Sequence, residues 1–376
     1  MIPSQYKTKP LSELVVLMHQ GINTAADKIE YENSGIPIIQ SKHFTSGCLD
    51  LFDTKYLGMA DAEKYKDKYM PQKGDILFSN IGTVGKSIVL QTNADFMFAW
   101  NVFLIRPDAK ALDAQYLKFF FDYLLKLNIY EQWFTGGTVK FINKGTMGAL
   151  EIPLPPLKEQ QRIAAILDKA DNLRRKRQQA IQLADEFLRS VFLDMFGDPV
   201  INSKGWDIVE LGSVLNAIES GSSPKCDSRP ANDGEWGILR LGAVSYCKYN
   251  SGDNKAVLAG YEPNPKDEIK PGDLLFTRKN TYELVAAAAL VDETPPLLLM
   301  PDLIFRLKTK PTINKYYLWA LLTHSGMRKK IQSLASGAAG SMPNISKANL
   351  RLVEIPLPNI ETQVLYQNIY KKRMRY

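Results

Sequence analysis

The sequence predicts an α+β protein in which two similar domains of mixed strands and helices follow one another and are joined by one long helix. Three observations support this prediction. Short motifs recur in the same order about 200 residues apart. In each of the two repeated parts, apolar runs of strand length come before a segment with helical periodicity. Between them, apolar residues recur at spacings of three and four through residues 156–196, as on one face of a helix.

The internal repeat is clearest in two motifs. Gly74-Asp75-Ile-Leu-Phe78 recurs 198 residues later as Gly272-Asp273-Leu-Leu-Phe276, and Glu151-Ile-Pro-Leu-Pro155 recurs 203 residues later as the identical Glu354-Ile-Pro-Leu-Pro358. The slow drift of the offset is what small loop insertions produce. The period is too long for a solenoid unit, so each copy is a domain, and we assign these domains to residues 1–155 and 197–358.

In each copy, the first part is predicted to form strands and the last part a helix. Gly35 opens a turn into the predicted strand Ile-Pro-Ile-Ile39, and the Gly-Asp dipeptides lead into further strands. Asp113 is a predicted N-cap of an amphipathic helix that ends near Leu127, and its counterpart covers residues 314–322. A glycine-rich segment follows each helix, at residues 135–144 and 335–347.

The segment that joins the copies is predicted to be a single helix over residues 156–196. Pro156 suits the first helical position, and Gly197 suits the position just past the end. At about 1.5 Å per residue this helix is roughly 60 Å long. Its narrow apolar seam favours a coiled-coil partner, and the repeat makes the shorter segment 359–376 that partner.

Composition excludes several classes of protein. The chain has 376 residues, of which 45% are hydrophobic and 23% charged, so disorder is not expected. No apolar run reaches the length of a membrane span, and the first residues lack the apolar core of a signal peptide. The three cysteines form no C-x-x-C pair, which disfavours a disulfide scaffold and a cysteine zinc site. A reducing cytoplasm is the expected compartment.

The net charge of +7 is unevenly distributed. Residues 1–155 carry 16 basic and 16 acidic side chains, whereas residues 156–196 carry 8 and 6, and residues 359–376 carry 4 and 1. The chain is therefore not uniformly basic. If it binds DNA, it needs locally sorted charge or help from a partner.

Motifs for catalysis are absent from the sequence. Gly82-Thr-Val-Gly-Lys-Ser87 imitates the end of a phosphate-binding loop, but Asn80 stands where that motif needs a glycine. The three histidines form no H-E-x-x-H pair, so no metal site is predicted. No dinucleotide-binding or methyl-donor fingerprint is found. We expect a chain without catalytic chemistry of its own.

The block Pro153-Leu-Pro-Pro-Leu-Lys-Glu-Gln-Gln-Arg-Ile163, together with the two Glu-Ile-Pro-Leu-Pro motifs and the Gly-Asp turns, resembles the specificity (S) subunit of type I restriction-modification systems. The resemblance covers essentially the whole chain. It implies two target recognition domains, each reading one half of a bipartite DNA site. It also implies that the central and distal helices form an antiparallel coiled coil.

Further partners and cofactors are implied by the same resemblance. The coiled coil would dock methyltransferase (modification) subunits that methylate adenine with S-adenosylmethionine, and ATP-dependent restriction subunits would join them. No cofactor is expected on this chain itself. The sequence departs from the family pattern after Pro358, where the distal segment is short and reads Asn359-Ile-Glu-Thr-Gln-Val instead of repeating the Glu-Gln-Gln-Arg run.

Candidate DNA-binding residues lie in the glycine-rich segments and after the predicted strands. Gln40 and its counterpart Arg240 suit adenine and guanine respectively, and this difference fits two unlike half-sites. The full set is Gln40, Lys42, Asn80, Thr138, Lys140, Asn143, Lys144, Arg240, Arg278, Lys279, Asn280, Ser341, Asn344 and Lys347. The basic run Arg174, Arg175 and Arg177 on the long helix is a candidate partner-docking patch.

Two alternatives remain open from the residues alone. A non-catalytic structural adaptor would bind proteins through its tandem domains, and the near-neutral charge of the domains fits it. A specificity subunit of a system that cuts on both sides of its site is a close variant of the leading interpretation.

Overall fold

The structure is a computed structural model that describes residues 6–137, 139–337 and 342–373. Its contacts divide into two compact units, Met1–Arg177 and Gln178–Tyr376.

The first unit contains ten strands and three helices before the long helix begins, counted over the described residues. They are β1 (Thr8–Pro10), β2 (Val15–Gln20), β3 (Tyr31–Glu32), β4 (Ile36–Ile39), β5 (Lys55–Leu57), α1 (Met59–Tyr69), β6 (Ile76–Ser79), β7 (Ser87–Val89), β8 (Met97–Phe98), β9 (Val102–Pro107), α2 (Ala114–Lys126), α3 (Lys144–Gly148) and β10 (Glu151–Pro153). Short 3-10 turns lie at Leu11–Glu13, Ser41–Phe44 and Ile129–Trp133. The long helix α4 then runs over Leu157–Phe196.

The second unit contains the later half of α4 and repeats the main elements in a similar order, with no counterpart of β3 or of the helix α1 among its described residues. They are β11 (Asp207–Glu210), β12 (Leu215–Ser220), β13 (Gly237–Leu239), α5 (Gly242–Ser245), β14 (Asn254–Ala256), β15 (Leu274–Thr277), β16 (Ala288–Leu290), β17 (Leu298–Leu299), β18 (Ile304–Thr309), α6 (Lys315–Thr323), α7 (Ser325–Gln332), α8 (Lys347–Arg351), β19 (Glu354–Leu357) and α9 (Ile360–Arg373). Its 3-10 turns lie at Leu211–Val214 and Pro265–Asp267.

The main sheet has the same topology in both units, which confirms the predicted repeat. Four antiparallel strands follow the order β2-β9-β6-β7 in the first unit and β12-β18-β15-β16 in the second. Phe78 pairs with Phe103, and Phe276 pairs with Phe305, at matching places in the two sheets. All four rings are buried, so the apolar runs after the Gly-Asp turns build the two cores.

Two smaller strand arrangements complete each unit. A second sheet has the order β3-β5-β4-β8 in the first unit and β14-β13-β17 in the second. A two-stranded antiparallel ribbon pairs β1 with β10, and its equivalent pairs β11 with β19. The chain therefore enters and leaves each repeated fold along one ribbon.

The aspartate of each Gly-Asp turn forms an ion pair inside its own unit. Asp75 accepts hydrogen bonds of 2.7 Å from both Nε and Nη2 of Arg106, and its side chain is almost fully buried. Asp273 lies 2.9 Å from Nε of Arg306, with Lys308 at 3.4 Å. These pairs connect the turn to the strand beside it, which explains why the dipeptide recurs.

The first turn of the long helix is fixed to the first unit by a buried glutamine. Gln160 donates from Nε2 to the carbonyls of Ala111 (3.0 Å) and Pro155 (2.9 Å). Its Oε1 accepts from the backbone N–H of Asp113 at 2.9 Å, and Asp113 is itself the predicted N-cap of α2. One side chain therefore ties the start of α4 to the start of α2.

The distal helix α9 repeats this arrangement in the second unit. Gln363 is fully buried, accepts from the N–H of Asn314 at 2.8 Å and donates to Pro358 O at 2.7 Å. Asn314 is the N-cap of α6. Gln363 follows Gln160 by 203 residues, so the glutamine is kept although the surrounding Glu-Gln-Gln-Arg run is not.

Two tyrosines support the same junctions. The Tyr116 hydroxyl donates to Pro153 O at 2.9 Å, and the Tyr317 hydroxyl donates to Pro356 O at 2.7 Å. Burial raises the pKa of Tyr317 well above its usual range, so its hydroxyl stays protonated and keeps donating at physiological pH.

The ends of the two junction helices differ slightly from prediction. Pro156 was assigned to the first helical position, but α4 begins at Leu157, and the Pro156 carbonyl accepts from the N–H groups of Glu159 and Gln160. Pro156 is therefore the cap residue. Gly197 has φ = +74° and ends α4 as predicted. The distal segment forms a helix from Ile360, with Asn359 as its side-chain cap.

The apolar stripe of α4 is buried at its end and exposed along most of its length. Leu188, Phe192 and Phe196 are buried, and the rings of Phe192 and Phe196 lie within 6 Å of Tyr366 in α9. In contrast, Ile166 and Ile181 are 55% and 53% exposed. The predicted antiparallel coiled coil stays a prediction over this exposed part.

Replacing Gln160 with alanine tests the glutamine junction. Gln160→Ala removes three buried hydrogen bonds at roughly 1 kcal/mol each, so we expect the free energy of unfolding to fall by about 2–3 kcal/mol. Urea unfolding followed by tryptophan fluorescence measures the change. The control is Gln161→Ala on the exposed face of the same helix, which should shift the value by less than about 0.5 kcal/mol. Equal losses in the two variants would show that the junction does not depend on Gln160.

Candidate nucleic-acid interface

The glycine-rich segment of the first unit folds back beside the end of strand β6. Thr135 and Phe141 exchange backbone hydrogen bonds of 3.0 and 3.1 Å and so close a small hairpin. Ile81 forms a bridge with Phe141, and the N–H of Ile142 donates to Asn80 O at 2.9 Å. The residues after β6 and the glycine-rich segment, which are far apart in sequence, therefore lie side by side.

The second unit builds the same edge from its own residues. Ser336 and Asn344 exchange backbone hydrogen bonds of 3.0 and 2.9 Å, and Lys279 forms a bridge with Asn344. The N–H of Ile345 donates to Arg278 O at 2.8 Å. By these contacts Arg278 occupies the place of Asn80, and Asn344 occupies the place of Phe141. Thr138 and Ser341 lie outside the described residues.

The hairpin of the first unit depends on a glycine. Gly136 has φ = +92°, which side chains rarely adopt, and a Cβ built there would lie 2.4 Å from Val139 O. Gly137 has open space around it. The glycines thus have different roles, since the first permits the turn and the second leaves room beside the backbone.

A second group of predicted residues lies close to Asn80 through the turn before β9. Asn101 accepts a hydrogen bond from the N–H of Asn80 at its carbonyl, and its Nδ2 donates to Ser41 Oγ at 2.9 Å. Ser41 lies between Gln40 and Lys42. The structure therefore brings Gln40, Lys42 and Asn80 to one edge of the first unit.

Lys42 is not a free cation. Its Nζ lies 2.6 Å from Asp53 Oδ2, and this hydrogen bond lowers the pKa of the exposed Asp53 carboxyl. Arg240 also has a partner, since its Nη2 donates to Ser228 O at 2.7 Å. The contacts of Arg240 do not bring it to Arg278, so the two remain separate candidates.

Two predicted contacts do not fit the burial of their side chains. Asn80 is fully buried behind the hairpin. Asn280 is also buried, with its Nδ2 donating to Ser245 Oγ and its Oδ1 accepting from the N–H of Thr281, both at 2.8 Å. Neither amide reaches the surface in this arrangement. Contact of either amide with DNA stays a prediction, and in this structure the Asn280 side chain holds its loop through the two hydrogen bonds.

Asn143 has a structural task that the sequence prediction missed. Its side chain accepts from the N–H of Thr146 at 2.8 Å and caps α3, and Ser346 caps α8 in the same way. Lys140, Lys144 and Lys347 are exposed near these caps. These lysines suit phosphate contacts, because exposed cations beside a sheet edge meet the DNA backbone first.

Exposed aromatic side chains at these edges were not predicted. Trp100 is 44% exposed in the turn that carries Asn101, and its backbone is held by hydrogen bonds to Ile22 and Gln20. Tyr282 is exposed two residues beyond Asn280. The sequence signal that could have identified Trp100 is an aromatic residue in a short turn between two apolar strands.

The arginines predicted to dock a partner lie on the exposed part of α4. Arg174 lies 2.8 Å and Arg175 2.7 Å from carboxylate oxygens of Asp171. Arg175 also donates to Cys48 Sγ at 3.1 Å. Arg177 is exposed, and docking of a partner by these arginines stays a prediction.

The described part of the chain offers neither a metal-binding cluster nor a membrane-spanning helix. No group of three or more histidine, cysteine or acidic side chains is arranged to hold a metal ion there. His19 packs against Tyr69 and Phe98, and its partial burial lowers its pKa. Among the helices described, none combines the length and apolarity that a membrane span needs.

Both repeated parts of the chain match the same protein family. The family described as "Type I restriction modification DNA specificity domain" matches residues 3–183 and again 203–371. A putative type I restriction enzyme MjaX specificity subunit of Methanocaldococcus jannaschii is 24% identical over 96% of this chain and 85% of that protein. The EcoEI specificity subunit of Escherichia coli is 31% identical over 43% of this chain and 27% of its own length.

Solved structures agree at the level of the fold. The crystal structure of a type I restriction-modification S subunit from M. genitalium superposes with a TM-score of 0.62. The superposition covers 100% of this chain and 92% of that one, at 15% sequence identity. The predicted arrangement of two mixed α/β recognition domains in tandem is thereby confirmed.

Substitution of the hairpin glycines tests whether the edge is preformed. Gly136→Ala forces a strained φ at roughly 1–3 kcal/mol, so we expect the Phe141 amide to exchange its hydrogen about 5- to 150-fold faster. Gly137→Ala is the control and should leave the rate unchanged, because its Cβ meets nothing. Hydrogen exchange read by mass spectrometry measures both. Equal rates in the two variants would mean that the hairpin does not need its glycine.

Proposed function

This chain belongs to the family of type I restriction modification DNA specificity subunits, and we propose that its two units read the two unlike halves of one split DNA site. The first unit contacts one half-site through Gln40, Lys140 and Lys144. The second unit contacts the other through Arg278, Lys279 and Lys347.

One observation supports this proposal most directly. The two units share a framework down to individual hydrogen bonds, yet they differ at the edge where DNA is expected. Asn80 and Phe141 in the first unit correspond to Arg278 and Asn344 in the second. Side chains that change while the framework is kept are what separate readout of two half-sites requires. The recognised site is therefore asymmetric.

The charge distribution fits binding as part of an assembly. The first 155 residues have no net charge, so a single unit has little nonspecific attraction for the phosphate backbone. Additional cations from partner subunits would supply that attraction. Sequence discrimination then rests with this chain, and much of the affinity rests with the complex.

The exposed stripe of α4 supports docking of modification subunits. Ile166, Leu173 and Ile181 are each more than half exposed on one helix, and such a stripe favours packing against another helix. We propose that these residues, flanked by Arg174, Arg175 and Arg177, receive the methyltransferase subunits. S-adenosylmethionine and ATP then bind to partner subunits, and this chain carries no catalytic residue.

Mapping of methylated adenines tests the proposal. The chain is expressed with the modification subunit encoded beside it, and methylated positions are located by long-read sequencing of the host DNA. We expect a split, asymmetric motif with a fixed spacer. A symmetric motif would mean that two chains use one unit each. A stable complex without any methylation would favour the structural adaptor instead.

The salt dependence of DNA binding separates the two functions independently. For a specificity complex, the logarithm of the binding constant should fall linearly with the logarithm of the salt concentration, at about 0.9 per phosphate contact. An adaptor should show no such binding at any salt concentration. Fluorescence anisotropy with a labelled duplex, measured from about 50 to 200 mM salt, gives the slope.

A further inference from the structure

We propose that Arg278 reads a guanine in the half-site of the second unit and that Asn344 and Phe305 hold its guanidinium in the reading position. This inference rests on the proposed function, because it names the base that one unit selects. It assigns Asn344 to positioning, whereas the sequence suggested direct contact with DNA.

The geometry fixes the guanidinium from two sides. Nε of Arg278 donates to Asn344 Oδ1 at 3.0 Å. The Cζ atom lies 5.2 Å from the centroid of the Phe305 ring, which is buried in the main sheet. A hydrogen bond at Nε leaves the two terminal amino groups as a fork, and the contact with the ring limits its rotation.

The electrostatics leave this fork available for an acceptor. Within the described residues, no carboxylate lies at ion-pair distance from Arg278, Lys279 or Lys347. By comparison, Arg229 and Arg306 in the same unit are each paired with carboxylates. Lys347 Nζ lies 5.5 Å from the centroid of the same Phe305 ring, so both cations contact one aromatic side chain. Such a site attracts a group that offers acceptors without donors.

Guanine fits this site better than the other bases and better than a phosphate. Its major-groove edge presents two neighbouring acceptors, O6 and N7, which match the fork of an arginine. Adenine places a donor where guanine has O6. A phosphate is satisfied by any mobile cation, and the half-buried Lys279 and the exposed Lys347 are suited to that. An arginine held at Nε and over a ring is preorganised, which base reading requires and phosphate binding does not.

The first unit lacks this arrangement. There the equivalent positions hold Asn80, which is buried, and Phe141, which has no side-chain acceptor. The two half-sites must therefore differ at the base pair that Arg278 contacts. A guanine preference at that pair belongs to the second unit alone.

Selection from a randomised duplex library tests the inference. The chain, purified in complex with its modification subunit, is used to select DNA, and the variants Arg278→Gln, Arg278→Lys and Asn344→Ala are compared with the unchanged chain. We expect Arg278→Gln and Arg278→Lys to lose about 5- to 100-fold of guanine preference at one base pair. Asn344→Ala should relax the preference at the same pair, because the guanidinium is no longer held.

Two controls make the outcomes distinct. Lys279→Ala should weaken binding equally for all sequences and lower the salt slope by about 1. The half-site read by the first unit should stay unchanged in every variant, which shows that the complex is intact. Uniform weakening by Arg278→Gln with unaltered preferences would make Arg278 a phosphate contact and overturn the inference. If Arg278→Gln abolished the base preference at every position of that half-site, the role of Arg278 would be purely structural and the inference would also be overturned. Failure of the unchanged complex to select any motif would instead refute the proposed function.

Discussion

The structure depends most on two buried glutamines. Gln160 and Gln363 each satisfy the first free N–H of a domain helix and the carbonyl before their own helix, so they fix where each long element leaves its unit. A buried amide that loses these partners would cost roughly 1–3 kcal/mol for each unpaired group. The hydrogen bonds therefore set the starting direction of α4 and α9, and every contact further along those helices follows from it.

The two units share a buried framework and differ in the side chains at the sheet edge where DNA is expected to bind. The ion pairs Asp75–Arg106 and Asp273–Arg306 fix the Gly-Asp turns inside the cores. They stand away from the hairpins that carry the candidate DNA contacts. Because the frame is stabilised by buried groups, side chains at the edges can change with little effect on stability. A protein that must recognise different sequences benefits from this separation.

Much of the fold could be predicted from the sequence, and less of the site. The Gly-Asp turns, the caps Asp113 and Asn314 and the end of α4 at Gly197 follow from local preferences, which act over a few residues. The burial of Asn80 and Asn280 was not foreseen, because it depends on residues distant in sequence, such as Ile142 and Pro343, that hydrogen-bond to their backbones. The role of Gln363 was hidden because its neighbours differ from those of Gln160, although the offset of 203 marked it. The fixation of Arg278 by Asn344 was likewise invisible without the pairing of Lys279 with Asn344.

The ribbons β1–β10 and β11–β19 have an evolutionary consequence. Each brings the beginning and the end of a recognition fold together, so everything between the paired strands is a cassette with adjacent ends. Recombination at the two Glu-Ile-Pro-Leu-Pro motifs would exchange the segment between them, which contains α4 and the second cassette, and would leave Gln363 in place. Exchange of whole modules would then change the recognised sequence, while the ribbon at the ends of each module is kept.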